Sequence, residues 1–283
     1  MTEEKRTAKR ASKKDPGQEM SFLEHLEELR WHIIRAFLAI VIFSVIAFIE
    51  KDVIFDSIIL HPKMPDFWTN RMFGKLADFL GTDVMRINTK EFQLISISMA
   101  GQFMTHIWTS IIAGLIVSSP YVIYEIWKFI KPALYEKERK YSTGAVVYMS
   151  ALFILGVLFG YYLIVPLSVH FLGSYSISES VANQINILSY INTVTSITLA
   201  SGVIFELPIV VYVLSKVGIL TPDMMTKYRR HAYVVLLIVS AIITPPDVFS
   251  QIMVCIPLGL LYEIGIVISR RVNRKADEEL EKM

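Results

Sequence analysis

The chain is poor in charge and almost free of cysteine. Asp, Glu, Lys and Arg make up 19% of its 283 residues, against about 25% in an ordinary soluble domain. Residues 92–124 carry none of the four, and neither do residues 141–178. A buried core helix does not need runs of that length, whereas about 20 apolar residues suffice to cross a bilayer. With 53% hydrophobic residues and a mean hydropathy of +0.48, these runs argue against a soluble enzyme, a disordered chain or a coiled coil. They describe a protein that crosses a membrane several times. The single cysteine, Cys255, sits in an apolar stretch, which excludes an internal disulfide and a thiolate metal cluster. The histidines His25, His32, His61, His106, His170 and His231 are scattered, with no pair at metal-ligand spacing. A G-x-S-x-G elbow and a phosphate-cradling glycine loop are missing, as is a paired Asp or Ser–His set for intramembrane proteolysis. The chain reads as a non-enzyme without cofactor or metal, and nothing in it calls for a nucleic acid. The first 20 residues, MTEEKRTAKRASKKDPGQEM, have no apolar core. They form a solvated basic tail rather than a cleavable signal peptide.

What is present divides into six apolar segments at prolines and charge clusters, about 33–49, 103–127, 143–165, 191–214, 232–243 and 248–269. Pro166 ends the third, and Thr244-Pro245-Pro246-Asp247 separates the last two. In lipid the backbone must satisfy its own hydrogen bonds, so helices are expected. The runs are also too long and uniform for the alternating strands of a barrel. The expected fold class is an all-α integral membrane protein with six transmembrane helices. A basic cytoplasmic tail covers 1–20, the six-span domain 21–271, and a second cytoplasmic tail 272–283.

Lysine and arginine give the orientation. The first 35 residues hold eight, 128–140 five, 216–230 four and the stretch after Ser269 five, whereas 166–190 and 244–247 hold none. The other six lie in the long loop 51–91, beside Asp52, Asp56, Asp66, Asp78, Asp83 and Glu91, and long loops cross with little regard to charge. Both termini are therefore expected in the cytoplasm. The last two spans are expected to be short. The uncharged stretch between His231 and Asp247 gives roughly 18–22 Å of helix against about 30 Å of hydrocarbon, so the bilayer thins there or these helices lie inside the bundle.

Carboxylates stand out against this background. In Ser21-Phe22-Leu23-Glu24-His25-Leu26-Glu27-Glu28-Leu29-Arg30, Ser21 and Glu24 form a capping box that starts a helix. Phe22, Leu26, Leu29 and Ile33 then make one apolar stripe, with Glu24, Glu27 and Glu28 outside it. A solvated anchor helix is one reading. Three glutamates in five residues are odd beside anionic lipid heads, which favour lysine, and suggest a cationic ligand. After the second span Pro132 ends the helix, and Glu136 and Glu138 follow, either as paired loop charges or as a binding site. Glu206 in Ile204-Phe205-Glu206-Leu207-Pro208 sits mid-span, where a carboxylate is costly. It is either functional or a protonated group bonded to a neighbouring helix at a Pro208 kink. Glu263 lies nearer the cytoplasmic end and in the plainer reading pairs with Arg270 or Arg271. Asp247 caps a helix amino terminus.

These segments, in this order, resemble the TatC family, the multispanning receptor component of the twin-arginine protein translocase. The resemblance rests on HLEELR at 25–30, SPYVIYEIWKFIKPALYEKER at 119–139 and GVLFGYYLIVP at 156–166. It continues with FELP at 205–208 and TPPDVFSQIMVCIPLGLLYEIGIVISR at 244–270, and so covers roughly residues 20–271. It implies six spans with both termini cytoplasmic, and recognition of folded cargo through a signal peptide with two consecutive arginines. By motif match Glu28 and Glu138 are the arginine-binding acids, with His25, Arg30, Phe129 and Pro132 in the same motifs. A guanidinium pairs bidentately with a carboxylate in a way lysine cannot reproduce. Glu206 matches an intramembrane polar position linked to the partner's membrane helix, and Gln251 is assigned with it. Asp247 and Pro166 match turn and structural positions.

The implied partners are twin-arginine signal peptides, single-span subunits of the TatA/TatB type, further copies of the chain and the bilayer. The implied setting is a bacterial inner membrane, with transport coupled to the proton gradient. Three departures from the family pattern stand out. His32 replaces a second basic residue, Glu125 stands where a neutral amide is common, and the first external loop carries an extra stretch around Asp66–Asp83. Two other functions compete with a receptor. A proton- or ion-coupled secondary solute transporter would use Glu206 as its ion site, but the halves show no internal repeat and no paired broken helices. A passive scaffold would leave Glu28 and Glu138 as solvated charges.

Overall fold

The computed structural model describes residues 22–89, 92–130, 142–178, 180, 183–244 and 248–280. The apolar runs form helices. Helix α1 (Phe22–Ile49) is followed by a π-helical stretch (Val53–Ile59), a 3-10 turn (His61–Lys63) and the amphipathic α2 (Trp68–Leu80). Strand β1 (Leu94–Ile95) precedes α3 (Gly101–Ile130). Helix α4 (Ser142–Phe159) runs through a π-helical turn (Gly160–Ile164) into α5 (Val165–Ser174). Strand β2 (Ile185–Asn186) leads into α6 (Ile187–Ile204) and α7 (Leu207–Lys216), and then come α8 (Pro222–Lys227), α9 (Arg229–Ile243) and α10 (Val248–Leu280). The all-α expectation holds apart from one parallel pairing of β1 with β2, Leu94 with Ile185 and Ile95 with Asn186.

Among the described residues, five stretches are long and apolar enough to cross a membrane: Leu26–Ile49, Gly101–Ile130, Gly144–Ser174, Ile187–Lys216 and Gln251–Arg274. The expected fifth span is a helix, α9, but has 15 residues, about 22 Å of rise. Two expectations need correction. Pro166 does not end the third span, which continues to Ser174. The π-helical turn ends just before it, Pro166 occupies the first turn of α5, and the Tyr162 carbonyl four residues earlier, which its missing N–H cannot bond, takes the Thr69 hydroxyl instead. The last span is not short, because its apolar stretch is 24 residues long. Glu263 sits within it, its carboxylate bonded by Arg229 and Tyr233.

Packing directions follow from paired contacts. Helices α1 and α3 are antiparallel, His32 meeting Glu125 at one end and the Phe48 carbonyl accepting from His106 Nε2 (3.0 Å) at the other. Helices α4 and α6 are antiparallel, with Gly156 against Phe205 and Gly160 against Ile197. Helices α9 and α10 are antiparallel too, Arg229 meeting Glu263 and the Leu237 carbonyl accepting from Gln251 (3.2 Å). Helices α7 and α10 instead run parallel. Val211 packs on Gly265, and one turn on Ser215 donates to Ser269 (2.9 Å).

The end of the bundle opposite the start of α1 is capped by the 50–100 region. The Tyr161 and Tyr190 hydroxyls donate to the Ile58 and Ile59 carbonyls (2.7 and 2.9 Å). Asn88, at φ +49°, gives its side-chain amide to Asn70 Oδ1 and the Pro166 carbonyl (3.2 and 3.0 Å). Beneath this cap lies the main apolar core, with Ile164, Val165, Ile191, Val194, Ile197 and Leu258.

Close backbone approach holds the spans together. A Cβ on Gly114 of α3 would lie 2.5 Å from Ser44 N and 2.7 Å from Ser44 Cα, backbone atoms of α1. One on Gly156 would lie 2.5 Å from the Ser201 carbonyl of α6, and one on Gly202 would lie 2.8 Å from Val157. Small residues at such crossings let lipid-embedded helices gain dispersion contact. Gly114→Val should therefore destabilise the detergent-solubilised protein by about 1–3 kcal/mol through overpacking. Gly74→Ala in α2, where a Cβ meets nothing within 4 Å, should leave the midpoint unchanged or raise it. Equal thermal midpoints for Gly114→Val and wild type would refute the close-approach account.

Candidate functional site

The helical period brings Glu28, His32 and Arg35 of α1 to one face, and Tyr121, Glu125 and Phe129 of α3 to the face opposite. Glu28 is half-exposed, its side chain 37% accessible, and Oε1 lies 3.9 Å from His32 Nε2 one turn on. The other carboxylate oxygen, Oε2, is buried and has no hydrogen-bond partner among the described residues. His32 is 5% exposed and Glu125 3%. His32 Nδ1 bonds the Glu125 carboxylate directly. Arg35 Nη1 comes within 3.9 Å of that same carboxylate, and Tyr121 also interacts with it. The Phe129 ring stands edge-on to His32, centroids 6.3 Å apart. The imidazole thus bridges two acids, one nitrogen facing each, at the rim where α1 begins and α3 ends. Such a rim can accept a cation at Glu28 while the buried Glu125 stays committed to helix packing.

Of the residues singled out from sequence, Glu28 and Phe129 stand together at this rim. Arg30 is exposed on α1. His25 lies in α1, but its side chain is outside the described set. Pro132, Glu138 and Asp247 lie outside the described residues, as do Ser21 and Glu136. The coupling of His32 to Glu125, 93 positions apart, was not anticipated. Its signal lay in the two departures taken together, a weaker base and an extra acid in place of a base and an amide.

Glu206 occupies a break in the fourth span. Residues 205–206 form a turn between α6 and α7, and Pro208 sits in the first turn of α7. Neither carboxylate oxygen has a hydrogen-bond partner among the described residues; the Phe153 main chain of α4 faces it. A carboxylate so placed is expensive unless water or another chain reaches it. Gln251 does not join it in any described contact, and ties α10 to the Leu237 carbonyl of α9 instead. Glu263 pairs not with Arg270 or Arg271 but with Arg229, whose guanidinium Nε and Nη2 take one carboxylate oxygen each. The Tyr233 hydroxyl donates to Glu263 Oε1 at 2.7 Å.

An apolar cavity of ≈ 430 Å³ lies under the cap between α3, α4 and α6, bordered by Trp68, Val117, Leu158, Tyr162 and Thr198. Among the described residues no three His, Cys, Asp or Glu side chains are grouped to hold a metal.

Comparison with known proteins gives one consistent result. The profile of the family described as Sec-independent protein translocase protein (TatC) matches residues 24–257. The Sec-independent protein translocase protein TatC of Blattabacterium sp. subsp. Periplaneta americana is 41% identical over 264 residues, 93% of this chain and 99% of its own. That of Aquifex aeolicus is 33% identical over 260 residues, 92% of this chain and 98% of its own. A crystal structure described as twin arginine translocase receptor TatC superposes with a TM-score of 0.64 at 32% identity, covering 88% of this chain and 99% of that one.

Removing the imidazole strands a buried carboxylate. His32→Ala should cost about 2 kcal/mol in unfolding of the purified protein. Glu125→Gln keeps an acceptor for the ring and should cost less than half of that. His32→Ala as stable as wild type would show that Arg35 and Tyr121 alone hold Glu125.

Proposed function

The chain belongs to the TatC family of Sec-independent protein translocase proteins, and on that footing we propose that it is the signal-peptide receptor of a twin-arginine translocase. It binds peptides carrying two consecutive arginines at a cytoplasmic acidic site made by Glu28 and Glu138, with His25, Arg30, Phe129 and Pro132 around it. The observation that carries this reading is Glu28, a half-exposed carboxylate with one oxygen lacking a partner among the described residues. A carboxylate serving only as a solvated charge on a passive scaffold would turn both oxygens to water, whereas Glu28 keeps one buried without a partner among the described residues. A guanidinium supplies two parallel donors for such a group.

The receptor crosses the bilayer six times with both termini in the cytoplasm. Parallel packing of α7 and α10 supports this, because an odd number of crossings must lie between two spans that run the same way. The antiparallel α9 is the segment available for that crossing, and its 15 residues call for a bilayer thinned around it or a helix sheltered in the bundle. The protein is not an enzyme. It recruits single-span subunits of the TatA/TatB type and further copies of itself in a bacterial inner membrane. Transport draws on the proton gradient. Glu206 and Gln251 are assigned to partner contact, and the unpartnered Glu206 carboxylate at a helix break supports that role. Asp247, Glu263 and Pro166 serve the architecture.

Crosslinking of a twin-arginine signal peptide to membranes bearing wild type, Glu28→Ala or Glu138→Ala tests the receptor reading. Each variant should lose roughly tenfold in yield, as expected for a charge-assisted hydrogen bond of about 1.5–3 kcal/mol. Replacing both peptide arginines by lysine should do the same, and equal yields throughout would defeat the proposal. For Glu206→Ala, peptide docking should persist while cargo transport falls to a small fraction. Undiminished transport would remove Glu206 from the mechanism.

A further inference from the structure

Helix α2 has three faces rather than two. Asn70 and Ala77 are buried against the protein. Arg71, Lys75 and Asp78 form a charged, exposed arc. Between them a second arc exposes only apolar side chains, Trp68, Met72, Leu76, Phe79 and Leu80, with Phe79 85% and Trp68 60% exposed, while Thr69 at its edge is buried against the protein. At 100° per residue these five side chains fall within about a third of the helix circumference. An apolar arc of that size on a water-washed loop would be a liability, and a helix of low overall hydrophobicity divided in this way has the pattern of an interfacial one.

Its depth along the bundle agrees. The Thr69 hydroxyl bonds the Tyr162 carbonyl, the Phe67 ring stacks on the Tyr162 ring and the Trp68 ring meets it edge-on. Tyr162 lies eighteen residues into the third span, counted from Gly144. That is about 27 Å of helix, so a hydrocarbon core of about 30 Å measured from Gly144 closes near Tyr162, and the twelve residues on to Ser174 rise past it. The apolar surface is also continuous, since Trp68 borders the same cavity as Val117 and Leu158, exposed apolar residues of α3 and α4. Trp68 itself is of the residue type that gathers at the headgroup boundary.

We propose that α2 lies in the plane of the membrane as an interfacial anchor, its apolar arc seated in the leaflet opposite the N-terminus and its charged arc at the headgroups. The occupant of this face is lipid, not a protein partner. The extra loop stretch thereby pins the cap to the bilayer surface. The proposal needs only that spans one and three cross the bilayer, so it stands or falls apart from the receptor reading.

The full chain with Cys255→Ser carries no other thiol and takes single cysteines at Met72, Phe79, Arg71 or Lys75. All four sites are exposed, so labels leave the packing intact. Each variant is nitroxide-labelled and reconstituted alone into vesicles of phosphatidylethanolamine and phosphatidylglycerol. Collision with oxygen, which concentrates in lipid, relative to a water-soluble nickel chelate should be at least about threefold higher at 72 and 79 than at 71 and 75. Equal nickel accessibility at all four sites would overturn the proposal by putting the whole exposed surface in water. Shielding of 72 and 79 from both relaxants would overturn it too, by showing that a second copy covers the face.

Discussion

Helices surrounded by lipid gain little by burying leucine against leucine, so their association depends on how closely backbones approach. Here that distance is set at a few points. Gly114 lets α3 close on the Ser44 backbone of α1, Gly156 and Gly160 bring the third span onto Ser201 of α6, and Gly202 makes room for Val157 and Phe153 of α4. With the backbones in contact, the side chains above and below each crossing have fixed neighbours. His32 then reaches Glu125 at one end of the α1–α3 pair and His106 stacks on Phe48 at the other, centroids 3.9 Å apart. The polar geometry of the rim is a result of the crossing.

Polar groups are distributed unevenly along the spans, and they differ in how fully they are satisfied. Glu263 is fully engaged by Arg229 and Tyr233, and Glu125 by His32, Arg35 and Tyr121. Glu28 and Glu206 are not. A carboxylate left short of donors in a low-dielectric setting is waiting for water, a proton or a ligand. The first stands at the rim, within reach of a peptide in solution. The second stands at a break between α6 and α7, where only something inside the membrane can reach it.

Much of the architecture was legible because composition decides it: charge-free runs of this length have no use except as spans, and helices are the form lipid permits. What was misread concerns how single residues are accommodated. Pro166 reads as a stop, yet the π-helical turn before it moves the proline into a first helical turn. Glu263 reads as a partner of Arg270 or Arg271, yet the groups that bond it come from a helix 30 and 34 residues away, and no local pattern announces them. Glu28 was legible as an exposed acid outside an apolar stripe. The bridge through His32 was not, because each half looks like an isolated oddity until α1 and α3 are laid side by side. Glu138 and Pro132 fall outside the described residues, so the second acid rests on motif match alone.

The buried pair of His32 and Glu125 also limits how the chain can be recombined. The two residues sit on different helices, and the direct bond between them ties the start of α1 to the end of α3. Chimeras that join the first helix of one homologue to the remaining spans of another would separate the two halves of this match. They would set His32 beside a neutral amide, or Glu125 beside a larger base, and so break the direct imidazole–carboxylate bond even with every other contact preserved. Position 32 and position 125 therefore behave as one inherited unit, and segment exchange within the family should carry them across together.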